Sequence, residues 1–225
     1  MVKPTWNIRV IDIYNGDDLE AKDFKTIAAD GIIGVIHKAT QGTTFKDKSY
    51  KERKKMALDA GLLWGAYHFA SDQKASEQLD HFLNVVGDDK DMLYALDYEP
   101  NKNNTMTLAQ AKVFMQGMDK ATGRLGVLYS GNLIKETLSA PDAFWNKHRL
   151  WLAQYSKSFK CPPGWDKPWL WQYTGDGMGP KPHTLVGIKD VLDLNKFYGT
   201  DEELKAQWAG EPLVLGKAKK HAIKS

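Results

Sequence analysis

The chain has 225 residues, 42% of them hydrophobic, 26% charged and 11% aromatic, which is enough to bury a sizeable core and unlike a disordered, fibrous or collagenous chain. Lysine and arginine number 31 against 28 aspartates and glutamates, a net charge of +3 that requires no nucleic-acid partner. The lone cysteine, Cys161, excludes an internal disulfide and leaves cysteine chemistry without a second thiol.

At about 150 residues per domain the length allows one domain or two, and a single α/β barrel fills it alone. Met1 to Arg9 contain Lys3, Pro4 and Asn7 and no apolar h-region, and no later stretch nears the 18 or so apolar residues of a membrane span. The expectation is a chain made in the cytoplasm, without a standard export signal and without stable membrane insertion.

In chain order, apolar runs rich in β-formers fall at residues 8–13, 32–37, 62–69, 92–98, 126–130, 150–155, 169–173 and 191–194, which predicts eight strands. Helical spacing fills 20–30, 49–60, 74–86 and 107–122, with Gly31 and Gly61 placed to end the first two helices. Strand alternating with helix implies a parallel sheet. Between one polar residue near each strand end (Asp12, Lys38, His68, Asp97, Tyr129, Gln154, Gln172 and Asp193) the intervals are 26, 30, 29, 32, 25, 18 and 21 residues. A whole crossover with its strands takes about 30 residues, so the last two intervals predict a barrel with helices missing from its second half. A short helical pattern then runs to Trp208, and residues 210–225 read as a flexible basic tail behind a barrel of residues 1–209. Its lysines fit either an electrostatic approach to an anionic envelope or a solvated, inert tail.

The segment Leu96-Asp97-Tyr98-Glu99-Pro100 ends an apolar strand in two carboxylates. Alternation puts residues i and i+2 on one face, about 6.6 Å apart along the strand, and Pro100 stops the ladder beyond them. Like charges so placed push one carboxyl toward its protonated form, and an acid beside a base is what glycosidic hydrolysis uses. By itself the pair also fits a solvated turn. Asp12 ends the first strand and Asp193 the last; in a closed barrel these strands are neighbours, and all four acids would meet at the mouth formed by the C-terminal strand ends.

Other strand ends carry Lys38, Tyr67, His68, Tyr129, Gln154, Tyr155, Gln172 and Tyr173, with Trp151 and Trp171 close by. Aromatic faces with amide and hydroxyl donors suit a sugar, although the alternation of Trp151 and Trp171 with Tyr155 and Tyr173 also fits core aromatics. His68, flanked by Tyr67 and Phe69, reads as a hydrogen-bonded core group. The six histidines show no metal-ligand spacing, and neither a Walker motif nor GxGxxG is present.

The ordered segments Val10-Ile11-Asp12-Ile13 with Gly16, Gly31-Ile32 through Ile36-His37-Lys38-Ala39-Thr40-Gln41-Gly42, Gly65-Ala66-Tyr67-His68-Phe69, Leu96-Asp97-Tyr98-Glu99, Leu128-Tyr129-Ser130, Leu150-Trp151-Leu152-Ala153-Gln154-Tyr155, Trp171-Gln172-Tyr173-Thr174 and Asp193-Leu194-Asn195 give the chain a resemblance to the glycoside hydrolase family 25 lysozymes. The resemblance covers about residues 8 to 198 and implies a single flattened, incomplete TIM-like β/α barrel. It implies cleavage of the β-1,4 bond between N-acetylmuramic acid and N-acetylglucosamine in peptidoglycan, by a monomer that needs no cofactor and no metal. Carried over by position, Glu99 would be the general acid. Asp97 would steady positive charge or orient the substrate acetamido group, and Asp12 and Asp193 would fix the state of that pair. Lys38, Tyr67, Phe69, Tyr129, Gln154, Tyr155 and Gln172 would line the cleft.

Two departures stand out: Gln41 where the family often has Glu, and Asn15-Gly16-Asp17 in a loop where it usually has Ser and Gln-Gly. The stereochemical outcome is open, because two separated carboxylates or an acid assisted by the acetamide could both use these residues. Two competing readings are a non-catalytic peptidoglycan- or chitin-binding barrel and a metal-dependent hydrolase built on the four acids. The expected setting is the bacterial cell wall, reached by a phage-encoded endolysin through a holin, or by a lytic protein of a virion or secretion system.

Overall fold

The computed structural model describes residues 7–213. In chain order the elements are β1 (Ile8–Ile13), α1 (Ala21–Ala29), β2 (Gly34–Gln41), β3 (Phe45–Lys46), α2 (Tyr50–Asp59), β4 (Leu63–Phe69), α3 (Ala75–Val86) and β5 (Leu93–Asp97). They continue with α4 (Leu108–Thr122), β6 (Val127–Ser130), α5 (Asn132–Thr137), α6 (Ala143–Asn146), β7 (Arg149–Ala153), β8 (Leu170–Thr174), β9 (Asp193–Lys196) and α7 (Asp201–Gln207). All eight expected strands and all four expected helices are present within a few residues of their sequence bounds. Gly31 and Gly61 hold positive φ values of 97° and 79°, and the following amides reach back across the last turn, Ile32 to Ile27 O and Leu62 to Ala57 O, as glycine-terminated helices do.

The sheet closes because β1 pairs with β2 on one side and with β9 on the other. Eight strands form the barrel, and β3 is a two-residue flap antiparallel to the end of β2. From β1 to β6 each connection carries a full helix. Between β6 and β7 there are only the short α5 and α6, and the segments after β7 and after β8 contain no helix. The thinning expected from the 18- and 21-residue intervals is therefore real. The parallel expectation fails at one strand: β8 stays parallel to β7 although no helix joins them, whereas β9 runs antiparallel to both β8 and β1.

Alternation along the strands divides the core in two. Val10, Ile36, Leu93, Ala95, Val127, Tyr129, Trp151, Leu170, Phe197, Leu204 and Trp208 form one buried cluster that fills the barrel. Ile11, Val35, Leu96, Leu128, Trp171 and Tyr173 belong to the second, between sheet and helices. One end of the barrel is shut by Trp208, which follows α7 and donates its indole N–H to Trp64 O at 2.8 Å. Contacts continue past residue 209: Leu125 N–H donates to Glu211 O, and Leu213 N–H to Gly123 O. The remainder of the expected tail, 214–225, lies outside the described residues. Among the described residues no helix is long and apolar enough to cross a membrane.

Candidate active site

Strand register brings the polar strand ends to one mouth. Lys38 of β2 pairs with Tyr67 of β4, and Phe69, Asp97, Tyr129 and Trp151 lie side by side across β4, β5, β6 and β7. Across the closure, Asp12 is directly opposite Asp193. Asp193 begins its strand instead of ending it; because β9 is antiparallel, its start lies at the same mouth as the ends of the parallel strands. The four acids thus meet as expected, for a topological reason that the spacing did not reveal.

Asp97 and Glu99 flank Tyr98, whose backbone is fixed on both sides: its N–H donates to Tyr129 O at 2.9 Å and its carbonyl accepts from Ser130 Oγ at 2.6 Å. Asp97 is buried and its Oδ1 has no hydrogen-bond partner. Burial first, then the neighbouring Glu99 carboxylate, pushes the Asp97 carboxyl well above the usual range, while the Lys38 ammonium opposes the shift. Burial also raises Glu99. The two carboxyl groups act directly on each other, Glu99 raising Asp97 and Asp97 lowering Glu99, so they titrate as a pair.

Asp12 accepts from Asn195 Nδ2 at 2.7 Å and from Gln172 Nε2 at 3.0 and 2.9 Å. Asp193 accepts from the same Gln172 nitrogen at 3.1 Å and from Asp176 N at 2.9 Å. Burial, opposed by the Asp176 N–H, leaves the Asp193 carboxyl raised to about 7. Lys38 donates to Gln41 Oε1 at 2.7 Å, and its ammonium lies 4.7 Å from the Phe69 ring centre and 5.3 Å from that of Phe45 on the β3 flap. Gln41 thus gives the Lys38 ammonium a neutral partner.

A cleft of about 180 Å³ is walled by Lys38, Tyr67, Phe69, Tyr129 and Tyr155 around Asp12, Asp97, Glu99 and Asp193, with Trp151 as floor. It adjoins a second hollow of about 230 Å³ lined by Tyr14, Asp17, Asp176 and Asp190, residues that the sequence reading did not select. Asp176 holds a left-handed φ of 51° between Gly175 and Gly177. That Gly-Asp-Gly text was a readable turn signal.

Two expected cleft residues do not line it. Gln154 lies three positions after the inward Trp151 and so faces outward, where Lys135 Nζ (2.6 Å) and Lys160 N (3.1 Å) donate to its side-chain oxygen. Gln172 faces inward but is wholly buried behind the acids, with its amide committed to Asp12, Asp193 and Tyr129. His68 is the core group expected: Thr40 Oγ1 at 2.7 Å and Gln78 Oε1 at 3.1 Å satisfy its nitrogens, Phe114 stacks on its ring, and burial pushes it down to about 4. Trp151 and Trp171 are both buried. Cys161 is half-buried, and its burial raises the thiol. Among the described residues no group of three or more His, Cys, Asp or Glu could hold a metal ion.

A closed β/α barrel with a coupled carboxyl pair in an aromatic-walled mouth defines a barrel of the glycoside-hydrolase class. The sequence pattern described as "Glycosyl hydrolases family 25" matches residues 11–181, and the chain belongs to that family. Among curated relatives, it is 28% identical to an autolytic lysozyme of Clostridium acetobutylicum over 83% of this chain and 55% of that protein. It is 28% identical to lysozyme M1 of Streptomyces globisporus over 82% of this chain and 66% of that one. The chain spans 55–60% of the length of the first curated relatives it matches. Among solved structures, a muramidase from Acremonium alcalophilum superposes with a TM-score of 0.75 at 28% identity, covering 91% of this chain and 100% of that one. The CTP1L endolysin gives a TM-score of 0.63 at 26% identity, covering 88% of this chain and 68% of that one.

Proposed function

We propose that this chain is a peptidoglycan hydrolase, an N-acetylmuramidase that cleaves the β-1,4 bond between N-acetylmuramic acid and N-acetylglucosamine. The observation that carries the reading is the Asp97–Glu99 carboxyl pair, raised in its proton affinity by burial and set beside Lys38 within an aromatic cleft. In this reading the substrate's acetamide is the nucleophile, a route open to an acid beside a second carboxylate.

Asp97 Oδ1, buried and unpartnered, is placed to accept the acetamide N–H. An amide N–H only donates, so its arrival favours ionised Asp97 and leaves the pair's proton on Glu99. Glu99 then protonates the leaving glycosidic oxygen. The C–O bond breaks as the acetamide oxygen closes on the anomeric carbon, with Asp97 steadying the positive charge. A water next attacks that carbon, gives its proton to Glu99 and reopens the ring, which restores the acid. Tyr67, Phe69, Tyr129 and Tyr155 offer ring faces to the sugars, and Lys38 holds Asp97 toward its ionised form.

In this reading residues 1–209 are the catalytic barrel, acting as a monomer on glycan strands without a nucleic-acid partner. The basic residues beyond assist approach to the wall. Likeness to an endolysin and an autolytic lysozyme supports a bacteriolytic role, in which a phage-encoded enzyme reaches the wall through a holin. The test is mass spectrometry of borohydride-reduced products from purified peptidoglycan, with Glu99→Gln as control. Reduced muramic acid ends are expected, with the variant slower by about 10²–10⁴-fold. Reduced glucosamine ends would overturn the bond assignment, and sedimentation with the wall without products would favour a binding barrel.

A further inference from the structure

We propose that Gln172 and Asn195 are positioning residues for this hydrolysis: two buried carboxamides, Asn195 oriented by the Trp151 indole and Gln172 by the carboxylates it faces, that draw Asp12 toward its ionised form within electrostatic reach of Asp97. The inference rests on the muramidase reading and adds to it a cause for the charge state of the reacting pair.

The orientations follow from donor and acceptor inventory. Trp151 Nε1 lies 2.6 Å from Asn195 Oδ1, and an indole N–H can only donate. Oxygen therefore faces Trp151, and the Asn195 nitrogen must face Asp12 Oδ1 at 2.7 Å and Val10 O at 3.3 Å. For Gln172, the nitrogen faces three carboxylate oxygens, both of Asp12 and Oδ2 of Asp193. Its oxygen accepts from Tyr129 OH at 2.7 Å. Both amides are fully buried, so water does not compete for these bonds.

Both oxygens of Asp12 thus meet donors. A proton on Asp12 would weaken its bonds from these N–H donors, and an unmade buried bond costs about 1–3 kcal/mol. Burial first, then the Asp193 carboxylate from β9 and Asp17 from the β1–α1 loop, push the Asp12 carboxyl well above the usual range, and Asn195 and Gln172 are the groups that pull it back. Tyr67, Tyr129 and Tyr155 feel the Asp12 charge from the other walls. The Asp97–Glu99 pair is faced by Asp12, Asp176 and the opposing cation Lys38. An anionic Asp12 makes the pair's proton harder to lose and so extends activity toward alkaline pH. The clamp also joins the cleft floor, Trp151 and Tyr129, to the acids, which makes the position of the aromatic surface and the charge of Asp12 one arrangement.

The experiment measures the pH profile of kcat/KM on soluble peptidoglycan fragments for the parent and for Gln172→Met, Asn195→Leu and Asp12→Asn. Asp119→Asn is the control, a buried site paired with His148 at 2.9 Å and absent from the cleft lining. The three clamp variants are expected to move the alkaline limb down by about one pH unit, a tenfold effect per 1.4 kcal/mol. The control is expected to lose thermal stability with its limb in place. An unmoved limb in the clamp variants, with activity lost evenly at all pH, would reduce the amides to structural filling and overturn the proposal. Carbon-13 NMR titration of labelled aspartates supplies a readout independent of turnover. Asp12 should titrate higher in Gln172→Met and Asn195→Leu than in the parent, and an unchanged Asp12 titration would sink the clamp even if the parent cleaves peptidoglycan as proposed. If the parent cleaves nothing, the enzyme reading fails, and the same titration still decides the clamp.

Discussion

At the closed end of the barrel, Trp208 lies across Gly34 and is fully buried with Leu204, while Phe197 fills the space beside them. At the open end, Asp12, Asp97, Glu99 and Asp193 share a cleft lined by a single cation, Lys38. The closed end is packed with apolar side chains and holds one cation, Arg149, on the carbonyls of Gln207 and Trp208. The open end keeps like charges together in low dielectric, an arrangement that costs stability and tunes proton affinity. One strand set supplies both ends, so the difference lies in which residues sit at the strand starts and which at the strand ends.

The strongest way to test that contrast is from the closed end. Trp208→Ala removes a large buried side chain and is expected to cost about 3–5 kcal/mol in urea unfolding, with the alkaline limb of activity unmoved. A displaced limb would mean that the two ends are coupled.

Next in size is acid sensitivity of the packed layer outside the barrel. Burial pushes His37 and His68 down to about 4, below the 6.5 of an unfolded histidine. Their contribution is therefore fully present above pH 6.5 and is lost as pH falls toward 4, a few kcal/mol in all. His68→Gln should flatten this acid loss in urea midpoints taken between pH 7 and 4.5.

The mouth should behave with the opposite sign. Asp193 is raised to about 7 from 3.8, so the folded state binds its proton more tightly. Stability from this group is then present at low pH and lost as pH rises from about 4 to 7. Asp193→Asn is expected to gain on the order of 1–2 kcal/mol at pH 8, and nothing near pH 4, while lowering activity. A loss of stability at pH 8 would contradict the picture of uncompensated charge.

Smallest is Gln41→Glu. A carboxylate beside Lys38 draws the ammonium's field away from Asp97, so the pair should keep its proton to a pH higher by a few tenths. Stability should change by less than about 1 kcal/mol, since the site is partly solvated. A limb that moves down would show that Lys38 does not act on the pair.

Legibility followed the range of the interactions. The β and α periods, Gly31 and Gly61, and the interval counts are local, and they gave eight strands, four helices and the thinning of the second half. The Asp97–Glu99 pair was visible because two residues of one strand share a face. Gln154 was misplaced because a polar residue near a strand end was selected without counting its parity from Trp151. Gln172 has the right parity, but depth in the wall is a property of the neighbours and left it behind the acids. Asp17 and Asp176 lie on loops, where no period predicts direction.

The sequence by itself determined the eight barrel strands, the four long helices, the family and the four acids, because strand periodicity, helix stops and ordered motifs are written within a few residues of one another. Only the tertiary structure decided that β9 turns back, so that Asp193 reaches the mouth by starting its strand instead of ending it. It also decided that Gln172 and Asn195, 23 positions apart in the chain, close on the same carboxylate. Both depend on strand direction and closure, which arise from pairing between distant segments and leave no local mark on the residues that result.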